Sequence, residues 1–90
     1  MKVTNMTSDR GNSVPNQFII KTYEETIFQS YDSIIVKIFD CSGVKFTLLD
    51  EKYWNYSKTT AKYRNQFLGE TTKQIKAKID NGTYKLVNLN

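Results

Sequence analysis

"SIIVKIFDCSGVKFTLL", residues 33–49, reads as two strands and the turn between them, and that reading sets the fold class. Ile34, Val36 and Ile38 line one side of the first segment, while Ile35 and Phe39 flank Lys37 on the other. A period of two in β-branched and aromatic residues is the mark of a strand. Being the most apolar segment, Ser33–Phe39 is expected at the centre of a sheet. "DCSG" (Asp40 to Gly43) supplies a hairpin turn, since Gly43 adopts positive φ without a Cβ clash. Val44, Phe46 and Leu48 then share a face of the returning strand.

Working outward, the same period recurs upstream. "QFIIKT" (Gln17 to Thr22) and "TIFQSY" (Thr26 to Tyr31) are two more strands joined by the short "YEE". Strands at such close spacing imply an antiparallel meander. "MKVTNM" alternates weakly and is a candidate edge strand. "TSDRGNSVPN" (Thr7 to Asn16) gathers Ser, Asp, Gly, Asn and Pro, and reads as a loop.

Downstream the period changes. Ser57 is a suitable N-cap, because its hydroxyl accepts from backbone N–H groups of a first helical turn. A helix over Lys58 to Leu68 follows, with Gly69 suited to a left-handed terminus. Thr71 and Gln74 form a capping box for a second helix that runs to about Asp80 or Asn81, ended by Gly82. "TYKLVNL" (Thr83 to Leu89) reads as a last strand. The predicted class is α+β: an antiparallel β-meander of four to five strands, two short C-terminal helices packed on one face, and a final short strand. Residues 1–90 form one domain, divided into an N-terminal strand and loop (1–16), meander (17–49), helical pair (57–81) and last strand (83–89).

Composition narrows the function. The chain is 39% hydrophobic and 13% aromatic, enough large rings to close a small core. With no histidine, the usual general base near neutral pH and the commonest zinc ligand are missing. The single cysteine, Cys41, cannot form an internal disulfide and reads as an ordinary exposed thiol in a reducing compartment. Asp50–Glu51 is a solvated turn more readily than a divalent-ion site. "SDRGNS" (Ser8 to Ser13) lacks the glycines and the Lys-Ser/Thr of a phosphate-binding loop, although Arg10 at its tip can pair with a phosphate or carboxylate. No catalytic set remains, and neither a cofactor nor a metal is expected. The longest apolar run, "IIV", is too short to cross a bilayer, and no leader opens the chain, so a complete small cytoplasmic gene product is expected.

The net charge of +4 is uneven. Residues 1–51 carry five basic and seven acidic side chains; residues 52–90 carry eight basic and two acidic. A basic half attracts phosphate or an acidic protein surface. On a helical wheel Thr60, Tyr63 and Phe67 form the core line of the first helix, with Arg64 and Leu68 beside it. Lys58, Lys62 and Asn65 lie round the other side. In the second helix Ile75 and Ile79 are the apolar ridge, while Lys73, Lys76 and Lys78 cover the rest. Ahead of the first helix stand Tyr53, Trp54 and Tyr56. These rings either close the end of the sheet or lie flat at the surface, where bases stack on them and nearby cations hold the backbone.

"MTSDRGNSVPNQFII", "FQSYDSII", "YWNYSKTTAKYRNQFLGETT" and "YKLVNLN" together resemble a family of small uncharacterised proteins encoded by bacteriophages, plasmids and conjugative elements of Gram-positive and gut bacteria. The resemblance spans nearly the whole chain. It implies an accessory gene on a mobile element, in a bacterial host cell. "KIFDCSGVKFTLLDEKYW" is longer and more apolar than the family's usual glycine-turn segment, so no role passes to Cys41. Two functions follow as expectations. One is a non-enzymatic nucleic-acid binder, with Arg10, Lys58, Lys62, Arg64, Lys73 and Lys76 meeting phosphates and Tyr53 and Tyr56 stacking. The other is an inhibitor or adaptor on an acidic host protein surface, for example an anti-CRISPR protein. A homodimer formed through an open edge strand is a third possibility.

Overall fold

In the computed structural model, which describes residues 1–90 except the Cys41 side chain, five strands follow one another across an antiparallel sheet. They are β1 (Lys2–Thr7), β2 (Ser13–Lys21), β3 (Glu25–Ser30), β4 (Ser33–Cys41) and β5 (Val44–Asp50). Helices α1 (Lys58–Leu68) and α2 (Thr72–Asp80) then lead to β6 (Tyr84–Val87), which pairs parallel to β5. A parallel neighbour requires a long crossover, and the two helices supply it. The expected α+β class is therefore the observed one, with six strands. The expectation of an exposed Cys41 thiol lies outside the described residues.

Two features of the sheet differ from the sequence reading. First, β2 begins at Ser13, inside the stretch read as a loop. The turn formers there act within the strand. Register between β1 and β2 slips between Asn5 and Thr7, leaving one β1 residue opposite several on β2. Pro15, which has no N–H to donate, falls in that bulge. Asn16 takes φ 66°, and the Asn5 amide closes the gap by donating to the Val14 carbonyl at 2.9 Å. The true turn is tighter: the Ser8 N–H donates to the Asn12 carbonyl at 2.8 Å.

Second, β4 carries a bulge where Phe28 pairs with Val36 but Gln29 pairs with Ile34. The extra residue is Ile35. It turns to the same side as Val36, and both are fully buried. The face of Ile35, Val36 and Ile38 is thus the inner one, and Ile34 joins Lys37 and Phe39 on the outer. Simple alternation would have put Ile34 inside and Ile35 outside.

The inner face carries the core. Phe28, Ile35, Val36 and Leu49 pack with Met6, Tyr63 of α1, Ile75 of α2 and Tyr84 of β6. The Phe28 and Phe67 rings stack at 5.7 Å. Helix ends follow their local chemistry. Ser57 Oγ accepts from the Thr60 N–H at 3.2 Å, and Gly69 closes α1 at φ 68°. Thr71 and Gln74 complete a reciprocal capping box, at 3.2 and 2.9 Å. Behind β6, the Asn90 side chain accepts from the Ile34 N–H at 2.8 Å and donates to the Ile34 carbonyl at 3.0 Å. It takes the place of a strand partner where β5 has already ended.

The outer face is different in kind. Register places Val3, Ile20, Ile27, Lys37, Leu48 and Lys85 in one row across all six strands. Glu25, Phe39 and Phe46 form the row on one side of it. Asn5, Phe18, Gln29 and Ile34 form the row on the other. None of these apolar side chains belongs to the core cluster.

Candidate nucleic-acid interface

The candidate surface starts at a carboxylate that sequence reading assigned to solvent. Asp50, at the end of β5, is buried. Its Oδ2 accepts from the backbone N–H of Tyr53 at 2.8 Å and of Lys52 at 3.1 Å, and its Oδ1 accepts from the Leu89 N–H at 2.9 Å. Burial pushes its pKa up, but the Leu89, Tyr53 and Lys52 N–H groups, with Asn90, outweigh that and hold it below the ordinary value. Asp50 is therefore a fixed anchor that shapes the turn carrying Tyr53 and Trp54. It has no free oxygen for a divalent ion, and no group of three potential ligands exists among the described residues.

From this anchor the chain runs into α1. Tyr53 is half-buried against the core, and the Tyr56 ring meets it edge-on at 5.4 Å. Tyr56 keeps 49% of its surface exposed. Lys52 Nζ lies 5.3 Å from the Tyr53 ring centroid. Tyr56, Ser57, Lys58 and Ala61, with Asn55, line a shallow hollow at the start of α1. No acidic residue occupies the first turn of that helix. The positive end of the helix dipole thus opens beside an exposed ring and an exposed Lys58.

Lys62 is exposed one turn further on. Its Nζ lies 4.0 Å from Asp9, a pair so solvated that it holds little energy. Gln66 donates to the Thr7 carbonyl at 2.9 Å. Together these contacts bring the β1–β2 turn, with exposed Arg10 on it, alongside α1. Tyr53, Tyr56 and Lys58 accordingly share one region, with Lys62 one turn further along α1 and the turn carrying Arg10 beside Lys62. Lys73 and Lys76 are exposed on α2, but among the described residues no contact joins them to that region.

Arg64 is the correction. Expected among the phosphate-binding cations, it is fully buried. Its Nη1 donates to the Trp54 carbonyl at 2.6 Å and to Asn55 at 3.0 Å. Nη2 donates to Asn65 at 2.8 Å and Thr72 at 2.9 Å, and Nε to Asn65 at 3.2 Å. All five N–H donors of the guanidinium are used, so none is left for a ligand. Its carbon sits 5.2 Å from the Trp54 ring centroid, and burial lowers its pKa. Arg64 is the internal strut that locks the Tyr53–Asn55 segment to α1 and to the start of α2. Asn65, expected on the outer side, is drawn in with it and donates to Thr72 at 3.1 Å.

Sequence reasoning missed Lys52 as a member of the region, although it directly precedes Tyr53. Lys78 is set apart instead: it bridges to Glu70, which also accepts from the Tyr84 hydroxyl. Among the described residues no helix is long and apolar enough to cross a membrane. No curated protein and no solved structure matches the chain. A family model does match, over residues 1–82, and on that match the chain belongs to DUF8033, a family of unknown function.

Proposed function

We propose that this chain is a non-enzymatic accessory protein of a phage, plasmid or conjugative element that binds single-stranded nucleic acid in the cytoplasm of its bacterial host. The observation that carries the reading is the half-exposed Tyr56 ring at the start of α1, braced by Tyr53, with Lys52 and Lys58 beside the pair and Lys62 one turn along the helix. A base stacking on such a ring gains about 1–3 kcal/mol, and the surrounding cations follow the phosphates. Arg10 extends the cationic track along α1. Lys73 and Lys76 would add general attraction without contributing to the stacking site.

The test is a fluorescence titration with labelled single- and double-stranded oligonucleotides across a salt series. Binding should be tightest to single strands and should fall with salt, because neutralised phosphates release counterions. Tyr56→Ala should weaken binding by about tenfold, the loss of one stacked base. Absence of binding at micromolar protein and low salt would remove the proposal.

A second reading, an inhibitor or adaptor such as an anti-CRISPR protein, is favoured by one observation. Strand β1 has only one neighbour, so its other side is free to accept a strand from an acidic host protein. A stoichiometric partner that survives nuclease treatment would support this reading over the first.

A further inference from the structure

We propose that the outer face of the sheet is a homodimer interface, on which two copies of this chain stack sheet against sheet. The observation is compositional and geometric. An antiparallel sheet with one face in water normally alternates apolar-in and polar-out. Here Phe18, Ile20, Phe39, Phe46 and Leu48 surround a buried Ile27 on the side away from both helices; the first two, Phe39 and Leu48 are half-buried, and among the described residues none of the six joins the core cluster. Phe46 is 56% exposed. A contiguous apolar surface of this kind on a small protein marks an interaction site.

Three features select a second copy as the occupant. The first is charge. Lys37 lies mid-face and forms an ion pair with Glu25 at 3.3 Å, so the centre of the face is neutral. A two-fold axis near that pair sets each lysine against the partner's glutamate, a self-complementary pattern. Lys85, exposed at the β6 edge of the same row, adds a charge only at the rim, so it is the neutral centre that favours a second copy over a polyanion or an acidic protein. The second is the placement of the remaining cations. Both lysine-bearing helices lie behind the sheet, so stacking the outer faces turns the two basic surfaces away from each other. Two sheets about 10 Å apart, each backed by a helical layer, separate them by more than the roughly 8 Å over which salt screens charge at physiological strength.

The third is area. Six strands about 4.8 Å apart over a shared length of about six residues cover a plane on the order of 500 Å². The whole protein exposes 5817 Å². A stable interface takes about a tenth of a small protein's surface from each partner. The outer face comes close to that share, at the small end of specific interfaces; β1, a single edge strand, presents less. This inference stands independently of nucleic-acid binding, since it uses the opposite side of the sheet.

Sedimentation equilibrium over a concentration series, with the full chain, tests it. The wild type should sediment at twice the chain mass at tens of micromolar. Phe46→Lys should raise the dimer dissociation constant by at least about tenfold, as loss of a central aromatic contact does. Phe46 is exposed in the single copy, so far-UV circular dichroism should show that the variant stays folded. Leu86→Lys, a charge on β6 away from the outer face, should leave the dimer intact. A wild type that stays monomeric at a hundred micromolar would overturn the proposal. So would its monomeric capture by neutral lipid vesicles, or a dimer dissociated by Leu86→Lys but not by Phe46→Lys.

Discussion

Arg64 shows how one buried side chain organises a surface it cannot itself offer to a ligand. Its guanidinium is held by neutral oxygens alone: a carbonyl, two asparagines and a threonine. Removing it leaves those acceptors without their donor, at positions only partly shielded from water. Arg64→Met should destabilise the protein by about 1–3 kcal/mol in urea denaturation, because the acceptors lose a shared donor that water replaces only in part. Arg64→Lys should recover little of this, since an ammonium cannot reproduce the planar fork. Gln17 is the opposite case. It is buried on the inner face, yet neither amide atom has a partner among the described residues. Gln17→Met should therefore stabilise by about 1 kcal/mol, read as a higher urea midpoint at unchanged slope. Neither property was legible from the sequence. A helical wheel puts Arg64 at the border of the apolar line, and solvent is the default for a charge there. Only the fold brings Asn55 and Thr72 to it.

At the scale of elements, legibility follows the range of the interactions. Helix α1 was readable to the residue because Ser57 and Gly69 determine its ends through bonds within a few positions. The α2 capping box is equally local. The β4 bulge was not readable, because Ile35 turns inward only once β3 pairs with a shifted register. Pro15 and Asn16 did signal an interruption, but one in the middle of a strand. The link between α2 and β6 carries a prediction of its own. Burial raises the Glu70 pKa, but hydrogen bonds from Lys78 and Tyr84 lower it further, below its ordinary value. A carboxylate depressed in the folded state stabilises above its unfolded pKa, and that stability is lost as pH falls through the folded value. Lys78 is raised, chiefly by Glu70, and Tyr84 by burial and then Glu70. Their shares persist until pH climbs past the ordinary range for those groups, about 10. Glu70→Gln should thus cost about 1 kcal/mol at pH 7, and the difference from wild type should shrink by pH 3 in thermal melts. An undiminished difference at pH 3 would mean that ionisation is not what ties α2 to β6.

Taken whole, the molecule is a sheet with two unlike sides, one sealed by helices and one bare. The class and the helical basic half were legible because composition and period carry them. The contrast between the faces was not, since alternation alone left Ile34 and Ile35 exchanged. The pairing of Asn90 with Ile34 has a kinetic consequence. It ties together positions far apart along the chain, so it forms only after the strands between them are in place. A contact made that late is absent from the folding barrier and broken on the way over it in reverse. Stopped-flow traces of Asn90→Ala should show refolding unchanged and unfolding faster by about 5–30-fold, matching about 1–2 kcal/mol for the two bonds to Ile34 and the support Asn90 lends Asp50. The clasp at residue 90 is then a latch on the lifetime of the folded chain, with no part in how quickly that chain is reached.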